Sequence, residues 1–190
     1  MQQMSDNIQN LPEFSVRHYQ NADLDGLRAI YGDDEFARPH LLQKYPRMRE
    51  YLADEVLYYF TRYEPESLFV AEAQGEIIGA LLGAINTPHQ AQIYRRSTRP
   101  YLALRCLAGA YGWPAWALPV IRTEFAGWNL ITPKVNRKLY PAHLHIGVLP
   151  AWRRHGVGTA LMDSYAGYLR QKNVAGYHLY CSSFGVGLLS

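Results

Sequence analysis

The stretch HLHIGVLPAWRRHGVGTALM, residues 143–162, constrains this chain more than any other. It starts as an alternating segment, within a strand expected over 142–149, that puts His143, His145 and Gly147 on one face and Leu144 and Ile146 on the other. It then passes Pro150, two arginines and two glycines. A helix expected over 156–172 follows, with Val157, Ala160, Leu161, Tyr165 and Leu169 along one side. A strand feeding a helix through so short a joint belongs to an α/β domain.

The joint itself, Arg153-Arg154-His155-Gly156-Val157-Gly158-Thr159, bears on chemistry. The first amides of a helix have no intrahelical acceptor, and the helix dipole adds partial positive charge at the same end. Glycines at 156 and 158 let an anion come within hydrogen-bonding distance of the backbone, an arrangement that suits a diphosphate. The other reading of such glycines is purely structural. Neither GxxxxGK[ST] nor GxGxxG occurs here.

The remaining elements fit the same class. Residues 14–19, FSVRHY, alternate as a first strand, and Asn21-Ala22-Asp23 offers caps for a helix carrying Leu24, Leu27 and Ile30. A second helix, with room for an interruption near Pro46, is expected over 41–63, with an inner face of Leu52, Val56, Tyr59, Phe60 and Tyr63 and a stop before Glu64-Pro65. Residues 67–73 and 77–85 read as a hairpin turning at Gln74-Gly75-Glu76, with Gly79 and Gly83 marking a bend or a close approach. Residues 86–140, rich in proline, read as helical pieces and loops, and 175–181 as a further strand. The basic run YRRSTR at 94–99 reads either as a solvated helix face or as a phosphate-binding surface. The order is β-α-α-β-β-insertion-β-α-β, with a mixed sheet.

Composition narrows the partners. Apolar residues make up 48% and charged residues 18% of the chain, ordinary for a globular domain, and 190 residues suit one domain. The net charge of +3, with no block of more than two consecutive basic residues, gives no nucleic-acid footprint. The uncharged run 106–121 is shorter than the roughly 20 residues of a spanning helix and holds Pro114 and Pro119, so no membrane partner is expected. Cys106 and Cys181 have no metal-ligand spacing around them, so no metal is expected. Two reduced thiols, and a start without the basic-then-apolar pattern of a signal peptide, lead us to expect a cytoplasmic protein.

The run Val148-Leu149-Pro150-Ala151-Trp152-Arg153-Arg154-His155-Gly156-Val157-Gly158-Thr159 closely resembles the acetyl-CoA loop of the GNAT N-acetyltransferases. The element order on either side resembles that fold as well, outside the insertion. The resemblance implies an acyl-CoA N-acyltransferase fold: α/β, with a mixed, mostly antiparallel sheet flanked by helices and a helical insertion between the third and fourth strands. It implies that acetyl-CoA is the co-substrate. The amides of Arg153, Arg154, His155, Gly156, Val157, Gly158 and Thr159 would hold its pyrophosphate. The main chain of Ile146, Gly147 and Val148 would pair with the pantetheine, beside a strand that splays from its neighbour at 177–182. The implied reaction is direct attack of a small-molecule primary amine or amino sugar on the thioester. The alternative is a noncatalytic module that binds acyl-CoA without turnover. Within the superfamily the stretch 139–158 is similar to bacterial proteins like the acetyltransferase-like domain of O-GlcNAc hydrolases, and departs from them at Gly147, where an acidic residue is expected.

For the base, His143 and His145 share one strand face and histidine titrates near neutrality, while half-buried histidines satisfied by their neighbours are the competing reading. His145 is the first candidate. Asp34 and Glu35 lie where acceptor-binding residues often occur in GNAT folds, and Glu35 is the second candidate; surface charges are the plainer reading. Tyr101 and Tyr140 could line the acceptor side or pack it equally well. A GNAT domain continues past its fifth strand with a helix bearing a tyrosine that protonates the leaving thiolate. This chain ends at Ser190 with no tyrosine after Cys181, so the resemblance leads us to expect that the C-terminal part is missing. A sheet ending there has an open edge, from which a homodimer is expected.

Overall fold

The alternating segments pair into one five-stranded sheet. The computed structural model describes residues 13–32, 43–112 and 135–179. Strands β1 (Ser15–His18), β2 (Leu68–Ala73), β3 (Glu76–Ala84), β4 (Ala142–Val148) and β5 (Tyr177–His178) lie in that spatial order. The first three pairings are antiparallel and β4–β5 is parallel, which makes the sheet mixed as expected. Between them stand helices α1 (Leu24–Gly32), α2 (Met48–Tyr63), α3 (Thr87–Ile93), α4 (Arg99–Leu107) and α5 (Val157–Gln171).

Both faces of β3 are buried, with a bulge at Ile78, opposite Ala71–Glu72, that interrupts the period-two alternation. Leu81 and Ile78 face α5 in a cluster with Leu144, Val157, Leu161, Tyr165 and Leu169. Ala80, Leu82 and Ala84 face the other way, against Leu27, Leu57 and Phe60 of α1 and α2. Each fully buried leucine contributes about 1.5–3 kcal/mol, so these two layers are the main favourable term. Both glycines of β3 mark close approaches: a Cβ at Gly79 would meet Val157 Cγ1 at 3.0 Å, and one at Gly83 would strike the Tyr165 ring.

The entry to α1 differs from the expected cap. Residues Asn21–Asp23 form a 3₁₀ turn that runs into the helix. Asp23 accepts the Gln20 amide at 2.7 Å, and its carboxylate is gripped by Arg17 at 2.7 and 2.8 Å. The Arg17 hydrogen bonds hold the Asp23 carboxyl below its usual range.

The interruption expected near Pro46 separates helical residues 43–44 from α2, which is buried differently than expected. Helix α2 starts at Met48, and its buried side includes Met48, Ala53, Asp54 and Leu57 beside Tyr59 and Phe60, whereas Tyr63 is 40% exposed. The helix packs on the sheet through one side and on the insertion through another, where Met48 joins Leu102 and Tyr111. Two buried sides blur the single stripe that periodicity detects. After α2, Glu64 is buried, accepting the Tyr59 hydroxyl at 2.6 Å and the Ile85 amide at 3.3 Å.

The described part of the insertion is helical. Helices α3 and α4 are joined without a break by a π-helical turn, Tyr94–Thr98. Pro100 supplies a cause, because proline lacks an amide proton and crowds the carbonyl four residues back, and a wider turn relieves both. Buried Asp54 ties this helix to the core. Its carboxylate meets Arg28 of α1 at 2.5 Å and Arg105 of α4 at 3.2 Å, and accepts the Tyr111 hydroxyl at 2.7 Å. Residues 113–134, the rest of the expected insertion helices, lie outside the described residues. Among the described residues no helix is long and apolar enough to cross a membrane.

Candidate active site

The joint after β4 folds as a tight, partly left-handed turn. Leu149 extends the pairing through its amide to the Ile78 carbonyl at 2.9 Å, and Pro150–Trp152 form a single 3₁₀ turn. Arg154 and Gly156 then take φ of 67° and 81°, which bends the chain into the start of α5. Left-handed backbone is easy for Gly156 and costs a residue such as Arg154 roughly 1–2 kcal/mol. Two side chains brace the turn. Arg153 Nε donates to the Val148 carbonyl at 3.1 Å, and His155 Nδ1 lies 2.7 Å from the Arg153 carbonyl. A carbonyl only accepts, so His155 carries a proton on Nδ1.

Space opens in front of this turn. A Cβ at Gly156 would have nothing within 4 Å, and one at Gly158 would meet only Ile146 Cδ1 at 3.9 Å. Gly158 therefore sits in the first turn of α5 with no packing reason to lack a side chain, although glycine there costs about 1 kcal/mol relative to alanine. The first helical bond after the turn runs from Ala160 N to Gly156 O, at 3.0 Å. The amides just before it are those a helix leaves without intrahelical partners, so they face the open space with the positive end of the dipole behind them.

Strand β4 leads straight to that space. Its inner edge is paired with β3 from His143 to Val148. Among the described residues its other edge is paired with β5 only at Ala142 and His143. No other described residue pairs along that edge beyond His143, where the main chain of Ile146, Gly147 and Val148 lies.

The face of β4 opposite α5 carries imidazoles. His143 and His145 have ring centroids 5.5 Å apart, and each stands edge-on or tilted to Phe60, at 6.3 and 5.9 Å. His178 of β5 lies beside His143 at 5.9 Å, and its Nδ1 is 3.0 Å from the Tyr140 carbonyl. Burial, reinforced by electrostatic repulsion from His145, His178 and Arg137 when they carry their protons, pushes the His143 pKa down to about 3. His145 is accessible to solvent, yet the protein around it removes enough water to lower its pKa as well. Among the described residues the His145 ring has no hydrogen-bond partner. Beneath this row the Tyr31 hydroxyl reaches the Ala80 and His145 carbonyls at 2.9 and 3.3 Å.

Gly147 is explained by packing: a Cβ there would fall 2.5 Å from Ile30 Cγ2, so α1 leaves no room for the acidic side chain the sequence comparison led us to expect. Tyr101 packs. It stacks on Tyr58 at 4.1 Å between Arg62 and Arg105, away from the histidine row. Tyr140 is 48% exposed and meets the row through its carbonyl. Of the basic run, Arg95 and Arg96 are exposed, while Tyr94 donates to Glu55 at 2.6 Å and Thr98 is buried, which favours the solvated-face reading. Asp34 and Glu35 lie outside the described residues. A shallow depression of about 310 Å³ between β1 and α5 holds none of the site residues, and among the described residues no cluster is suited to a metal ion.

Sequence reasoning read Phe60 only as core and missed Tyr31 and Thr87, whose hydroxyl lies 3.3 Å from His143 Nδ1. All three come from helices distant in the chain from β4, and only the fold brings them to it.

Comparison with known proteins agrees with this geometry. Residues 109–184 match the model of the acetyltransferase (GNAT) family. Among solved structures the fold resembles SsHAT (23% identity, 93% of this chain and 86% of that one, TM-score 0.67). It also resembles a crystal structure of an acetyltransferase (16% identity, 91% and 83%, TM-score 0.53). A transcriptional regulator from Bacillus halodurans C-125 shares the fold too (14% identity, 93% and 87%, TM-score 0.51). No curated protein matches the chain. The strand β4, the glycine turn into α5 and helix α5 all lie within residues 109–184, the part of the chain that is similar to the acetyltransferase (GNAT) family.

Proposed function

We propose that this protein is an N-acetyltransferase that takes acetyl-CoA at the turn 153–159 and passes the acetyl group to a primary amine of a small molecule or amino sugar. The observation that carries the reading is Gly158, a helical glycine that meets only Ile146 among the described residues, at the end of a strand whose outer edge no described residue pairs beyond His143. That cradle fits a pyrophosphate followed by an extended amide-bearing arm. The Arg153 amide already donates to the Pro150 carbonyl at 3.3 Å, so the amides of 154–159 hold the diphosphate, and the main chain of Ile146, Gly147 and Val148 hydrogen-bonds the arm. Acetyl-CoA supplies an activated acyl thioester.

The chain's own contribution is to orient the amine and to remove its extra proton. His145 is the proposed base, because its ring is accessible, unpartnered among the described residues and neutral at physiological pH. Glu35 is the second candidate, from the segment after α1. The amine nitrogen bonds to the acyl carbon as the carbon–sulfur bond breaks, and the thiolate leaves with a proton from the surroundings.

Isothermal titration with acetyl-CoA, followed by acetyl transfer to a panel of small amines and amino sugars, tests the proposal. Saturable binding with turnover supports it. Binding without turnover on any amine would leave a noncatalytic acyl-CoA-binding module, and no binding would overturn the reading.

A further inference from the structure

The start of the insertion touches the histidine row. Asn86 caps α3 by accepting the His89 amide at 3.0 Å, which fixes Thr87 as the first helical residue. The Thr87 amide and hydroxyl both reach the Pro141 carbonyl, at 2.8 and 2.7 Å. The same hydroxyl lies 3.3 Å from His143 Nδ1.

A threonine hydroxyl has one proton, and a carbonyl only accepts. The shorter contact to Pro141 takes that proton, so toward His143 the oxygen is an acceptor and Nδ1 must bring the hydrogen. His143 Nε2 is then left bare. The two nitrogens of an imidazole point in opposed directions, so with Nδ1 turned to Thr87 the bare nitrogen is turned away from the insertion. We propose that Thr87 is a positioning residue: it fixes the His143 proton on Nδ1 and so presents Nε2, beside His145, as an uncharged acceptor for one N–H of the incoming amine. The proposal rests on the acetyl-transfer reading above and adds the group that orients the acceptor.

The hydroxyl can be removed at almost constant shape by Thr87→Val, and Thr87→Ser restores it. Ring ¹⁵N resonances of His143 in the full chain report which nitrogen is protonated. Wild type and Thr87→Ser should show the Nδ1–H form, and Thr87→Val a shift toward Nε2–H. The KM for the amine should rise roughly fivefold in Thr87→Val, as loss of one oriented hydrogen bond implies, and return in Thr87→Ser, with the KM for acetyl-CoA unchanged. An Nε2–H signal in wild type, or a tautomer unmoved in Thr87→Val, would overturn the role of Thr87. A moved tautomer with an unchanged amine KM would overturn the contact with the amine. If no amine is acetylated, the acetyl-transfer reading and the amine contact fail together, while the nitrogen resonances still decide what Thr87 does.

Discussion

Gly83 of β3 and Tyr165 of α5 exclude a side chain between them: a Cβ at 83 would lie 2.5 Å from Tyr165 Cζ and 2.8 Å from Cδ2. The Tyr165 hydroxyl lies 3.3 Å from the Ala84 carbonyl and 3.2 Å from that of His143, so the ring pins α5 under the β3–β4 seam that carries the histidine row. Gly83→Ala should cost about 1–3 kcal/mol through overpacking, read as a lower urea midpoint. A variant as stable as wild type would contradict this packing.

Gly158 should behave in the opposite way. Alanine there meets only Ile146 Cδ1 and gains helix propensity, so Gly158→Ala should stabilise the fold by up to about 1 kcal/mol. The larger Gly158→Val should obstruct the approach of a diphosphate to the backbone and weaken acetyl-CoA binding, as titration calorimetry would show. Arg153→Ala should weaken binding less, because its Nε already serves the Val148 carbonyl. Equal affinity in wild type and Gly158→Val would remove the turn from the binding site.

His145 sets an expectation for pH. A base works in its neutral form, and surrounding protein lowers the His145 pKa below the ordinary histidine value. The acidic limb of the kcat profile should therefore fall below about pH 6.5, with activity already on its plateau at pH 7. His145→Ala should reduce kcat by about 10²–10⁴-fold and abolish that limb. A limb that persists in the variant would assign it to another group, Glu35 first.

Asp54 joins α1, α2 and α4 through Arg28, Arg105 and the Tyr111 hydroxyl. Asp54→Ala leaves two guanidinium groups and a hydroxyl without their anion. The arginines are 35% and 39% exposed and can turn to water, so the loss should be about 3 kcal/mol, the low end for a broken buried pair. Hydrogen exchange should accelerate over 87–107 before it does in β3. Uniform acceleration would mean that Asp54 does not hold the insertion specifically.

Local chemistry made much of this protein legible from its residues alone. Alternation in β4, the turn at Gln74-Gly75 and the helical period of α5 depend on neighbours within a few positions, and so did the glycine-bearing joint that carries the family resemblance. Alternation also put His143 and His145 on one face, since side-chain period follows from strand geometry. What lay beyond local pattern depended on contacts between distant segments. The buried side of α2 was misread at Tyr63 and missed at Ala53 and Leu57, which pack with Leu27 of α1 and with Ala80 and Leu82 of β3, and at Met48, which the insertion covers through Leu102 and Tyr111. Gly147 needed Ile30, more than a hundred residues away, to explain it. The state of His143 is set by Thr87, by a carbonyl that both hydrogen-bonding groups of Thr87 share and by burial, none of which leaves a trace in the order of residues. The sequence determined the strand, the turn and the helix that form the cradle; the packing of α1, α2 and the insertion against β4 decided which imidazole is pinned and which stands open, because proton positions and solvation follow from neighbours in space.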